Sequence, residues 1–187
     1  MHLDEARLIK IVKPYLKQCR PGDWRHALRV VGWVKKLGKN RKDIELLIVA
    51  AYIHDIGWTD VMPKKIINFE EMLKFEDEAN KNTPLFAKKV LKEYELPDKK
   101  IKEIIRLIKA TDKHKSKEKD EAIIVDADNL SKLCLSHLKE KYKPESYEKL
   151  VKSWDRELPK IIKTKIGKKK YKSLLISLKK TLNLTKR

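Results

Sequence analysis

The sequence predicts an all-α fold, and three observations carry that expectation. Only 5 of the 187 residues are glycine, no stretch alternates β-branched with polar residues as a half-buried strand does, and apolar residues recur at i, i+3 and i+4 through most of the chain. Hydrophobic residues at 41% beside charged residues at 39% fit a packed core under a very polar surface rather than a disordered chain. A chain of this length closes one good core.

Leu8, Ile11, Val12, Tyr15 and Leu16 mark a first helix, which ends before the Pro21-Gly22 break. Asp23 reads as the N-cap of the second, whose inner stripe is Ala27, Val30, Val31, Val34 and Leu37 and whose stop is Gly38. A third helix over about 43–56 contains ELLIVAAYIHDIG and is apolar nearly all round, as expected of a segment surrounded by others. A helix over about 69–80 follows. Thr83-Pro84 then opens another, with Leu85, Ala87, Val90, Leu91 and Tyr94 at helical spacing and Pro97 at its end. Further helices are expected over about 98–110, 121–142, 144–165 and 168–182. Residues 1–142 are read as the main helical domain and 143–187 as a basic helical extension packed on it.

The formal net charge is +19, and residues 139–187 hold 17 basic against 5 acidic residues, a net +12. No apolar run reaches the roughly 18 residues of a spanning helix, and the N-terminus lacks the features of a signal peptide, so the expected location is cytoplasmic. Cys19 and Cys134 are far apart, without metal-ligand spacing, and read as reduced thiols.

Polar residues break the apolar pattern at four informative places. His54-Asp55 ends a run in which nothing from Leu46 to Ile53 is strongly polar. A buried carboxylate needs a partner, and a divalent cation shared with a neutral imidazole is one solution. Asp126 sits in a second apolar run, AIIVDADNL, in helical alignment with Ala122, Leu130, Leu133 and His137. Asp128, about 200° further round the helix, is expected to face outward. His26 lies at the edge of its helix's apolar stripe. Alone, His54-Asp55 reads as an ordinary helix C-terminus and His26 as a packed core histidine. Together His26, His54, Asp55 and Asp126 bring two imidazoles and two carboxylates from three helices, as metal sites in helical bundles are built. Such a set suits one divalent transition metal ion, Mn, Fe, Co, Ni or Zn.

The ordered pattern of His26, His54-Asp55 and Asp126, with the stretches WRHALRVVGWV, AAYIHDIGW and VDADNL around it, resembles the HD domain superfamily over about residues 20–138. IKATDKH followed by DAD looks like a branch of metal-dependent phosphohydrolases. The resemblance implies a compact helical HD-domain bundle and hydrolysis of a phosphate ester, a nucleotide or related small molecule, by metal-activated water. Proton transfer then needs a further group, with Asp60, Asp77 and Glu78 as candidates. Arg25, Arg29 and Lys64 are candidates for substrate phosphate, and Thr111 and His114 for the cavity wall. The pattern departs from better-known branches at Trp58, where those carry an acid or lysine. No further His pair is evident for a second metal. A competing reading is a nucleic-acid-binding protein acting through the basic tail, or a regulatory HD protein with little or no turnover.

Overall fold

Ten α-helices fill the computed structural model, which describes residues 2–184. They are α1 (Glu5–Leu16), α2 (Asp23–Leu37), α3 (Ile44–Ile53), α4 (Phe69–Leu73), α5 (Glu76–Glu93), α6 (Asp98–Asp112), α7 (Lys119–Lys132), α8 (Leu135–Lys141), α9 (Tyr147–Ile161) and α10 (Lys165–Thr181). Two short 3-10 turns, Ile56–Trp58 and Pro144–Ser146, complete the regular structure. The described residues contain no strand, only an isolated bridge between Ile67 and Tyr142. The expected all-helical bundle is therefore the observed one.

Two helices have almost no exposed face. Residues 46–53 of α3 are all buried, as its all-round apolar sequence requires, and so are residues 123–131 of α7 although three of them are Asp126, Asp128 and Asn129. The amphipathic helices surround this pair. α2 packs on both α3 and α7 through Ala27, Val30, Val31 and Val34, while α6 closes the far side with Ile101, Ile104, Leu107 and Ile108. α10 lies against α7 and α9. It buries Tyr171, Leu175 and Leu178 and leaves Lys168, Lys169, Lys170 and Lys172 exposed, the amphipathic division that its sequence spacing predicts.

Four local features differ from the sequence expectation. Asp23 is the first residue of α2 and not its cap. Gly22 holds the cap position in the left-handed region at φ 80°, where a Cβ would also meet the Cβ of Glu140 at 2.6 Å. α3 ends at Ile53, so that His54 is its C-cap and Asp55 opens the 3-10 turn. Thr83-Pro84 lies inside α5, where the Thr83 hydroxyl donates to Ala79 O at 3.0 Å. The expected helix over 121–142 is two helices, broken where Leu133 (ψ 50°) and Cys134 (φ −146°, ψ 150°) leave helical geometry.

α5 and the turn that follows α3 approach too closely for a side chain at position 57. The turn Ile56–Trp58 packs directly on α5, and a Cβ on Gly57 would stand 2.1 Å from Ala79 O and 2.2 Å from Thr83 Oγ1. Ala79 O is backbone, as is Thr83 N at 2.8 Å, so a side-chain rotation alone does not relieve the overlap. Gly57→Ala should therefore cost at least about 2 kcal/mol through forced backbone separation. Chemical denaturation checks it, and a variant as stable as wild type would refute the close approach.

Candidate metal centre and cavity

The site begins where α3 runs out of hydrogen bonds. Ala51 O, in the last turn, accepts from His54 Nδ1 at 2.9 Å, which places the His54 proton on Nδ1 and leaves Nε2 bare. His26, from α2, is held similarly. The Ser131 hydroxyl donates to Asp128 O at 2.7 Å, so it accepts from His26 Nδ1 at 3.0 Å and leaves that Nε2 bare as well. The two bare nitrogens face each other at 3.2 Å.

Carboxylate oxygens close the group. Asp128 Oδ1 is 3.1 Å from His26 Nε2 and 3.7 Å from His54 Nε2, while Asp55 Oδ2 is 3.6 Å and 3.5 Å from the same nitrogens. His26, His54 and Asp128 offer donor atoms that all lie within 4.8 Å of one another, and all three residues are buried. Lone pairs and carboxylates crowded in this way repel one another unless a cation lies among them. Ligands about 2.0–2.2 Å from one ion stand roughly 3.0–3.5 Å apart, close to the spacing observed, so the residues fit a divalent metal.

The electrostatics keep His26, Asp128 and Asp55 in their ligating forms. Burial, then the Lys141 charge, hold the His26 pKa well below the usual histidine value, so the ring is neutral. Burial alone would raise the Asp128 pKa, but the Lys132 charge holds it well below the carboxylate range. Asp55 is treated the same way by Arg20 and Lys141. Arg20 Nη2 reaches Asp55 Oδ2 at 2.6 Å, and its guanidinium stacks 4.0 Å over the Trp58 ring. Lys141, with a side chain only 2% exposed, bridges Asp55 and Asp23.

A cavity of about 350 Å³ opens over this group. Its floor is the cluster with Arg20, Lys132 and Lys141, and α9 forms a wall with Leu150, Ser153, Trp154 and Leu158. Glu76, Asp112 and His114 also line it.

The family model of the HD domain matches residues 23–158. The chain belongs to the HD domain family. No curated protein and no solved structure gives a significant match. The HD-domain match spans α2 to most of α9 and so includes every residue of the cluster.

Of the four expected ligands, the fold brings His26, His54 and Asp55 together and sends Asp126 elsewhere. The Asp126 carboxylate accepts from the backbone of Lys163 at 3.0 and 3.2 Å and of Thr164 at 2.7 Å, just before α10. Asp128 takes the place in the cluster. α7 is buried on both sides, so neither carboxylate faces solvent and the helical angle does not single out Asp126. Asp60, at φ 56°, has an exposed side chain, and Asp77 and Glu78 are exposed on the first turn of α5, so none of the three lines the cavity. Arg25 and Arg29 pair with Glu140 outside the cavity, and Lys64 stands near Asp60. Thr111 and His114 do line it.

Sequence reasoning missed Arg20, Asp112, Lys132, Lys141 and His137. Lys132 lies four residues after Asp128 on one helix face, and Asp112 lies within the IKATDKH stretch beside Thr111. Asp112 is the titratable surprise. Burial, then Asp55, Asp128 and Glu76, push its pKa up to about 7.

Two predictions follow from these placements. Asp126→Ala should lower stability by about 1–3 kcal/mol, because two amides lose their acceptor, yet leave metal content unchanged in denaturation and metal analysis. Loss of metal would restore Asp126 as a ligand. For Asp112, a pKa raised from 3.8 to about 7 means that the folded, metal-free protein holds a proton the unfolded chain has lost between those values. Its contribution is full below about pH 4 and disappears as pH rises to about 7. Metal-free Asp112→Asn should therefore gain melting temperature relative to wild type as pH rises across that window. A pH-independent difference would contradict the raised pKa.

Proposed function

We propose that this HD protein is a metal-dependent phosphohydrolase that cleaves a phosphate ester of a small molecule, a nucleotide or a relative of one. The supporting observation is a bare two-imidazole, two-carboxylate group, His26, His54, Asp55 and Asp128, at the floor of a cavity that also presents Arg20, Lys132 and Lys141. One divalent transition metal ion, Mn, Fe, Co, Ni or Zn, held by that group supplies Lewis acidity toward a phosphoryl oxygen and a nucleophile from water at neutral pH.

The chain's own residues supply the rest. Ser131 and Ala51 O fix the two imidazole tautomers. Arg20 and Lys141 hold Asp55 ionised, and Lys132 does the same for Asp128. Arg20, braced on Trp58, offers a planar cation to a phosphoryl oxygen. It thereby provides the phosphate contact that position 58 itself lacks. Asp112, lining the cavity with its pKa raised above all by burial, is suited to give a proton to the leaving oxygen. It takes the role first sought at Asp60, Asp77 or Glu78. Lys168, Lys169 and Lys170 on α10 lie outside the cavity, so the nucleic-acid reading draws no support from this site. No helix among the described residues is long and apolar enough to cross a membrane.

The test is metal content of protein purified without chelator, with His54→Ala and Asp128→Ala alongside, followed by a screen of phosphomonoesters and phosphodiesters. We expect about one transition metal per wild-type chain, its loss in both variants, and metal-dependent hydrolysis by wild type alone. Wild type that takes up none of added Mn, Co, Ni or Zn defeats the reading. Full metal occupancy with tight ligand binding and no turnover would mark a regulatory HD protein.

A further inference from the structure

His137 is a third buried imidazole, and the cluster makes no use of it. It is 1% exposed, on α8, with its ring centroid 4.9 Å from that of His26 and 6.1 Å from that of Trp154. The break at Leu133 and Cys134 is what lets it stand against the cavity and not follow the line of α7.

Its tautomer is fixed from outside. Arg29 Nη2 lies 3.4 Å from His137 Nδ1. A guanidinium only donates, so Nδ1 accepts and the ring proton sits on Nε2. Arg29 is itself held by Glu140 Oε2, which both terminal nitrogens reach at 3.0 Å. A ring whose Nδ1 accepts carries a single proton and is therefore neutral. At the other edge, His137 Nε2 is buried and has no hydrogen-bond partner, although the residue lines the cavity.

An orphan buried donor is uncommon and destabilising, so a fold keeps one chiefly where a ligand completes it. The missing partner must be an acceptor. A neutral N–H also suits this position, because it binds an anionic oxygen without adding charge that would repel a divalent ion beside His26. We propose that His137 Nε2–H donates a hydrogen bond to a phosphoryl oxygen of the bound phosphate ester, with Arg29 and Glu140 as positioning residues that set its tautomer. This assignment rests on the phosphohydrolase reading.

The test uses the full chain loaded with zinc, which is diamagnetic, and inorganic phosphate as the probe. Nitrogen-15 NMR of the histidines, with His137 assigned by its absence in His137→Gln, should show Nε2 protonated and Nδ1 bare, and phosphate should shift the Nε2 signal. Calorimetry then compares His137→Gln, whose amide can donate, with the similarly shaped His137→Met, which cannot. Glutamine should bind phosphate at least about tenfold more tightly, the scale of a hydrogen bond to a charged group. An Nδ1–H tautomer, a His137 signal indifferent to phosphate, or equal affinity in the two variants overturns the assignment. Wild type that loads no metal overturns the underlying reading as well. Wild type that loads metal and hydrolyses phosphate esters, while the two variants bind alike, overturns this assignment alone.

Discussion

The structure depends on α7 being buried on every side while carrying two carboxylates. Successive residues turn about 100° round a helix, so Asp126 and Asp128 point to nearly opposite sides. An unpaired buried carboxylate costs several kcal/mol, and each direction must therefore supply its own partners. On one side Asp126 is met by neutral donors, the amides of Lys163 and Thr164. On the other, Asp128 is met by Lys132, and its second oxygen stands 3.1 Å from the bare Nε2 of His26, an arrangement that a shared cation would complete. One buried helix thus ties the C-terminal helices to the core on one face and builds the candidate metal centre on the other.

Charge at that centre is closely matched before any ion is added. Asp23, Asp55 and Asp128 face Arg20, Lys132 and Lys141, and the two histidines contribute bare nitrogens. A divalent ion would leave a net charge of +2, which a phosphomonoester dianion cancels. The pairing also explains why Lys141 is tolerated at such depth: without its two carboxylate partners it would be a stranded buried ammonium group, the costly half of a broken ion pair. The basic surface of α10 adds a longer-range attraction for anions without taking part in the cavity.

Much of this was legible in the sequence, and the exceptions share a cause. The all-helical class, the all-round burial of α3, the amphipathic stripe of α10, and the gathering of His26 with His54-Asp55 all follow from periodicity and from polar residues placed where apolar ones belong. Asp126 was chosen over Asp128 by an argument that presumes one buried face, and α7 has no exposed one. Counting on to His137 presumed a continuous helix, which Leu133 and Cys134 interrupt. Thr83-Pro84 resembles a helix start, but α5 runs straight through it, packed closely on Gly57. Arg20 and Lys141 enter from a loop and from α8, and no local pattern relates them to Asp55.

The position of Asp126 gives it a bearing on the cavity that it does not enter. Its carboxylate anchors the segment between α9 and α10, and α9 supplies the wall that carries Leu150, Ser153, Trp154 and Leu158. The same helix, two residues later, supplies Asp128 to the floor. Floor and wall are therefore spaced by less than one turn of α7, and that turn is locked by burial on both sides. A side chain that failed to hold Lys163 and Thr164 would loosen the wall while leaving the ligand group intact. The two carboxylates of the DAD sequence thus divide the work: Asp128 is placed to bind, and Asp126 holds the surface against which a substrate would be bound.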